Sequence, residues 1–543
     1  MGDPAVPAGP SGLHPELSGR EASASGSVKG NSRRSRPLGT LALVALIFYS
    51  VSGGPFGTEE SLKLGTPLIT ICSFIVLPMV WSVPEALVTA ELATAFPEAC
   101  GFVAWVTAAY GPFWGFLEGF WKWTSGVTDN AIYPVLMLAY IETVFPALAS
   151  GLPRVAFLGL TTTALTALNF RGLSVVGTTA ITLATITLLP FVLMAVLSLP
   201  KVHVERWFRA DVSGVDWPGL LNILFWNLNY FDSASTLAEE VQDPQRAFPR
   251  ALAGAVALVV SSYLIPILVG VGIERDGSTF SKWDEGHYSV VAKRLGGPVL
   301  QWWVVVAAAV SNVGLFLAEM SADSFQLLGM AERGFLPAAL ARRSRYGTPT
   351  LAILLSSAGV IGITCLDFID IVTLLNAMYC LAELLEFSAF VHLRWRHPEL
   401  HRPYRVPLST WGCTLMLAPA CTLLVVVLGI PIAQGRWLVL GFLGGSTAFA
   451  TALYFALAYA RRRQLLQFLC DPPRGFDDIQ KAPGGSFEAS PAGKGVEMTD
   501  LTRHNDEEEE STPMADEERT GLLHSGLHMS DATLRVQTGH ESA

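Results

Sequence analysis

Acidic side chains stand inside long apolar stretches of this chain: Glu85 and Glu91, Asp129, Asp232, Glu319 and Asp323, Glu383 and Glu386. Basic residues in the same stretches are almost absent, and Lys122 is the clear exception. A carboxylate in a membrane interior costs on the order of 3 kcal/mol and is by default a functional candidate. An interior rich in acid and poor in base suits a cationic ligand and not an anionic one. Organic cations are held by spaced carboxylates, by aromatic faces and by carbonyl oxygens of unwound backbone. Asp232 sits in the polar string Asn227-Leu-Asn229-Tyr230-Phe231-Asp232-Ser233, where Trp226 and Phe231 could stack or gate. Tyr379, Glu383 and Glu386 fall at helical offsets of four and three, so one face presents a phenol and two carboxylates. Asp129 and Tyr133, one turn apart, complete the candidates, with Glu85 and Asp232 as the carboxylates for ion coupling.

Duller readings apply to the rest. Glu91 falls at the end of its helix and bonds nearby backbone, and Glu118 and Lys122 stand at i, i+4 and pair with each other. Glu319 and Asp323 meet loop arginines. Glu59 and Glu60 cap a helix at an outer mouth, where they could also gather cations.

Membrane helices must position these groups. The chain has 543 residues, 51% of them apolar and only 15% charged, against about 25% charged in a soluble domain. A bilayer span needs about 20 mostly apolar residues. The predicted fold is all-α and polytopic, with twelve spans at 38–62, 67–94, 113–144, 154–170, 173–199, 219–240, 251–273, 298–329, 349–366, 369–393, 409–431 and 437–460. Polar tails flank them, so the expected domains are a disordered N-tail at 1–36, a transporter domain at 37–465 and a disordered acidic C-tail at 466–543. If both tails are cytoplasmic, that side also receives Arg171, Arg246, Arg250 and the clusters at 333–345, 394–405 and 461–463, which satisfies the positive-inside rule.

Two spans are broken. Gly53, Gly54, Pro55 and Gly57 interrupt the first, so Gly53, Gly54 and Phe56 are expected at a ligand. The sixth is interrupted by poor helix formers around Asn227–Ser235. Breaks at matching positions of two five-span halves are the mark of an inverted-repeat carrier, with two terminal spans added.

Several classes are excluded. The net charge of −10 is concentrated in the C-terminal tail and offers nucleic acid no basic face. The seven cysteines form no CxxC or Cys/His cluster. No metal-ligand motif, GxSxG or phosphate-binding glycine loop is present, so neither an enzyme nor a cofactor is indicated. The N-terminus is Gly/Ser/Pro-rich and lacks the short apolar run of a secretory signal. Glu518, Leu522 and Leu523 fit an acidic dileucine string that a sorting adaptor could read.

GGPFGTEES, ELATAFPEACGFVAWV, FWNLNYFDSASTLAEEVQDPQRAFPRAL and YCLAELLEFSAFVHLRWRHPELHRPYRVP resemble the amino acid–polyamine–organocation superfamily, and within it the plant and algal polyamine uptake transporters, also called L-type amino acid transporter-like. The resemblance covers roughly 37–465. It implies twelve helices, two inverted repeats and import of putrescine, spermidine and similar cations with protons by alternating access. It also implies substrate roles for Tyr379 and Glu386; Glu383 departs from the family pattern, where an apolar residue is usual. The residues themselves leave open a cationic or neutral amino acid carrier, or a nutrient sensor that binds without moving ligand. They leave the coupling ion open too: no lysine lies between Leu173 and Leu199, while Ser311, Asn312 and Ser321 could serve sodium. A plasma-membrane location is expected.

Overall fold

The computed structural model describes residues 39–481 except 98–99, 172–173, 242 and 275–279. The twelve expected spans are present as helices or helix pairs. Span one is Thr40–Val51 and Glu59–Leu64, span two Pro67–Val80 and Ser82–Ala95, span three Pro112–Asn130 and Ile132–Glu142. Span four is Gly151–Asn169, span five Ser174–Ser198, and span six the helix Trp217–Asn227 with the 3-10 helix Phe231–Glu240. Span seven is Pro244–Ile273, and span eight is the part of His287–Glu332 that follows a kink at Gly297. Thr350–Ile363, Phe368–Arg396, Thr410–Ala433 and Trp437–Arg462 are spans nine to twelve. Among the described residues, eight helices are long and apolar enough to cross a membrane unaided; spans one, three and six are helix pairs, and span nine is the single shorter helix Thr350–Ile363. An odd number of spans in each half reverses the second half in the membrane, which sets the breaks in spans one and six against each other.

Two features extend beyond the expected spans. Gly101–Tyr110 forms a ten-residue helix between spans two and three, too short to cross. Residues 464–481, of which composition assigns 466–481 to the tail, lie against the domain: the Gln467 carbonyl accepts the Ala338 N–H at 2.8 Å, and Phe476 stacks on His397 with ring centroids 3.8 Å apart. A short helix, Phe476–Lys481, packs there on Gly101–Tyr110. The N-tail, the remainder of the C-tail and the sorting string Glu518, Leu522, Leu523 lie outside the described residues.

The breaks are accounted for bond by bond, as buried backbone requires. In span one Gly53, Gly54 and Gly57 take φ of +60°, +134° and +88°, which side-chain-bearing residues rarely adopt. The Gly53 carbonyl accepts Ser311 Oγ at 2.5 Å, the Pro55 carbonyl accepts Thr58 Oγ1 at 2.6 Å, and the Gly57 N–H donates to Glu59 Oε2 at 2.8 Å. In span six Tyr230 holds a left-handed φ of +72° without being glycine. Around it the Asn227 carbonyl accepts Tyr263 Oη at 2.8 Å, and the Leu228 carbonyl accepts Ser82 Oγ at 2.9 Å. The Tyr230 N–H donates to Tyr379 Oη at 3.0 Å, and the Asp232 N–H to Glu85 Oε1 at 3.2 Å. Side chains from spans two, seven, eight and ten thus fix the two breaks.

Candidate functional site: a pocket and a carboxylate cage

The predicted residues separate into two clusters on one face of span three. Glu118, Lys122, Ser125 and Asp129 follow one another at offsets of four, three and four, so they share that face. Asp129 belongs to the first cluster and Lys122 to the second.

The first cluster is a closed pocket lined by Val51, Ser52, Phe56, Asp129, Tyr133, Leu136, Trp226, Asn227, Tyr230, Tyr263 and Leu315. Its free volume is about 10 Å³, room for one water. Asp129 is its charge. Trp226 Nε1 donates to Asp129 Oδ1 at 2.8 Å, and the Tyr133 hydroxyl donates to Oδ2. Phe56 lines it too, set edge-on against Tyr140 and Phe191. Of the expected ligand residues, Phe56, Asp129, Tyr133, Asn227 and Tyr230 line this pocket. Gly53 and Gly54 do not line it; they make the turn that lets Ser52 and Phe56 do so. Asn229 turns instead towards Asn376, its Nδ2 3.5 Å from Asn376 Oδ1, and Phe231 is fully buried in the core. Ser52, Leu136, Tyr263 and Leu315 escaped the sequence reading because small, aliphatic or aromatic residues on apolar helices carry no distinguishing signal.

The second cluster surrounds Lys122. Its ammonium lies 2.6 Å from Glu383 Oε1, 2.8 Å from Asp232 Oδ2 and 3.0 Å from Glu386 Oε1. It also sits 4.0 Å from the centroid of the Tyr379 ring. Asp232 and Glu383 accept two of the three ammonium N–H groups, and Glu386 Oε1 adds an ion pair without accepting a hydrogen bond. The Tyr379 hydroxyl lies 2.7 Å from Asp232 Oδ1 and 2.8 Å from Glu85 Oε1. It has one hydrogen and cannot donate to both. Oxygens of Glu85, Asp232 and Glu383 all lie within 4.8 Å of one another, and Glu85 Oε2 has no hydrogen-bond partner. Four carboxylates around one ammonium leave a deficit of positive charge that a low-dielectric interior does not tolerate. The cage must therefore hold protons or a further cation.

This geometry corrects several expectations. Lys122 does not pair with Glu118 one turn away; it reaches spans six and ten, where more carboxylate is available. Glu383, the residue that departs from the family pattern, is its shortest partner. Glu319 and Asp323 do not meet loop arginines. They are buried and turn onto span three at Gly126, where an added Cβ would lie 2.0 Å from Asp323 Oδ1 and 2.9 Å from Glu319 Oε1. Glu59 and Glu60 are buried too. Glu59 accepts the Tyr140 hydroxyl and the Gly57 N–H, and Glu60 lies 3.0 Å from Lys63, so neither stands free to gather cations. Glu91 serves a structural ion pair with Arg394 and Arg402 and not only nearby backbone.

The break in span one yields a sharp expectation. A Cβ at Gly53 would lie 2.6 Å from Ser311 Oγ and 2.7 Å from Leu315 Cγ, on a backbone only glycine accepts comfortably. Gly53→Ala is expected to abolish transport while the protein still reaches the membrane, as surface labelling beside uptake would reveal. Normal uptake by Gly53→Ala would contradict the discontinuous helix.

Broken helices facing each other across a pocket with a buried carboxylate define a secondary carrier. Residues 38–453 match the amino acid permease family, and the chain belongs to that family. It is a multi-pass membrane transporter and not an enzyme. A probable polyamine transporter of Arabidopsis thaliana is 50% identical over 453 residues, covering 82% of this chain and 92% of its own length. Polyamine transporter PUT1 of Oryza sativa subsp. japonica is 49% identical over 441 residues, covering 80% of this chain and 81% of its own. More distantly, a D-serine/D-alanine/glycine transporter of Escherichia coli is 22% identical over 394 residues, 67% of this chain and 81% of its own.

Proposed function

We propose that this protein imports polyamines such as putrescine and spermidine together with protons, by alternating access through the pocket at Asp129. One observation carries the reading: the buried interior around spans two, three, six, eight and ten holds Glu85, Glu118, Asp129, Asp232, Glu319, Asp323, Glu383 and Glu386 with Lys122 as the base among them, the buried Arg394 being paired with Glu91. Such an interior demands cations, and a substrate with two or more ammonium groups supplies them. In this account one ammonium is received by Asp129, with Tyr133, Trp226, Asn227 and Tyr230 around it and the Ser52–Phe56 turn above. Glu85 and Asp232 exchange the coupling proton within the cage, where charge is short. Residues 37–465 carry the transport, both tails face the cytoplasm, the plasma membrane is the site of action, and Glu518, Leu522 and Leu523 serve a sorting adaptor.

Competition tests the substrate class. Divalent organic cations of similar length, bipyridinium herbicides included, are expected to displace labelled spermidine, and zwitterionic amino acids to do so weakly. If leucine displaces the label at concentrations where putrescine does not, the chain is an amino acid carrier. A carboxylate would then have to replace the partners that the N–H groups of the span-one break hold now.

A further inference from the structure

The cage around Lys122 has the composition of a binding site for a primary alkylammonium. Three carboxylates at 2.6, 2.8 and 3.0 Å and an aromatic face at 4.0 Å surround one ammonium at the end of a four-carbon stem. That stem and head are the aminobutyl group of a polyamine in all but attachment. We propose that the cage is a second ammonium subsite and that Lys122 is its tethered occupant, displaced when the far end of a long substrate arrives. The inference rests on the polyamine reading only for the nature of the substrate.

Three observations support it. Asp232, Glu383 and Glu386 already pair with Lys122, yet Glu85 Oε2 and Glu386 Oε1 remain without a hydrogen-bond partner, each buried in a residue 1% exposed. The site therefore has acceptor capacity beyond its resident. Lys122 also has somewhere to go. Glu118, one turn down the same helix, is fully buried, forms no ion pair with Lys122 here, and has the Glu386 carboxyl of the cage as its side-chain neighbour. A displaced ammonium would form there the i, i+4 pair that the helix favours.

The spacing is the third. Lys122 and Asp129 are seven residues apart on one helix, about 10 Å along the axis. Single bonds of about 1.5 Å at tetrahedral angles advance about 1.25 Å each. The nine bonds between the terminal nitrogens of spermidine therefore reach about 11 Å, and the five of putrescine about 6 Å. Measured against that helix rise, a triamine is long enough to join the level of Asp129 to the level of Lys122, and a diamine is not. Ser125 lies between, with Oγ 2.6 Å from the Tyr230 hydroxyl, and the Tyr230 and Tyr379 rings, 4.6 Å apart, flank the route.

Two variants test this. Lys122→Ala empties the cage, and purified Lys122→Ala is expected to unfold at lower temperature than wild type. Excess n-butylammonium should raise its midpoint by about 3 °C while leaving wild type unmoved. Glu118→Gln keeps the cage and removes the parking place. KM for spermidine should rise roughly 10-fold while KM for putrescine stays unchanged. A Lys122→Ala protein indifferent to n-butylammonium, or a Glu118→Gln protein that loses both substrates equally, overturns the proposal. Should Lys122→Ala fail to fold, Glu118→Gln decides. Should wild type carry no polyamine, the functional reading falls, and the unfolding measurement still decides whether the cage binds alkylammonium.

Discussion

Glu91→Ala is expected to cost about 3–5 kcal/mol of stability, because it strips the partner from buried charges. Glu91 accepts Arg394 Nε at 2.8 Å and the Val406 N–H at 2.8 Å, and lies 3.0 Å from Arg402 Nε. Arg394 is bound in turn to the Leu408 and Val406 carbonyls. The network fastens span two to span ten and to the loop that follows it, with all three charged side chains nearly sealed from solvent. A loss of that size removes much of a typical domain's margin. Solubilised Glu91→Ala should therefore run as aggregate in size-exclusion chromatography, or melt far below wild type. Joint replacement of Glu91 and Arg394 by Leu and Met should be milder, since fewer buried charges are orphaned. A well-behaved Glu91→Ala protein with wild-type melting and altered substrate preference would move Glu91 into the transport chemistry.

The second large effect is expected at Asp232, and it should differ in kind. Asp232 faces the cage and not the pocket, so Asp232→Asn keeps the shape and removes a charge from the group that holds Lys122 and Tyr379. Putrescine, too short to reach the cage, should still bind and exchange across the membrane. Its accumulation down an imposed pH gradient should be lost. Equilibrium binding and gradient-driven uptake on the same variant separate the cases. A fall in putrescine affinity of roughly 30-fold or more, the effect of truncating a direct charge pair, would instead put Asp232 against the substrate. Wild-type behaviour in both assays would make Asp232 structural.

The difference between Glu91 and Asp232 shows where sequence reading reaches and where it stops. Apolar length and breakers locate the spans and both discontinuities, because hydrogen-bond satisfaction in a membrane is a local rule: Gly53-Gly54-Pro55 cannot continue a helix whatever surrounds it. Asp129, Tyr133, Asn227 and Tyr230 were legible because polar residues at mid-membrane are expensive wherever they point. Partnership is a tertiary property and was not legible. Helical spacing pairs Lys122 with Glu118, yet three carboxylates on spans six and ten outbid one on the same helix. Glu319 and Asp323 look like the end of a helix until Gly126 on span three is seen to leave them room. The helix Gly101–Tyr110 and the docked segment 464–481 are set by packing on neighbours, which neither length nor composition encodes.

The central claim is that an acid-rich interior carries organic cations and draws its work from protons. Purified protein in liposomes, given labelled spermidine or labelled leucine under an imposed proton or sodium gradient, tests it most directly. Spermidine should accumulate inside when the exterior is acidic, fail to accumulate under a sodium gradient alone, and leave leucine behind. Accumulation of leucine without spermidine, or saturable spermidine binding with no flux under either gradient, would contradict it.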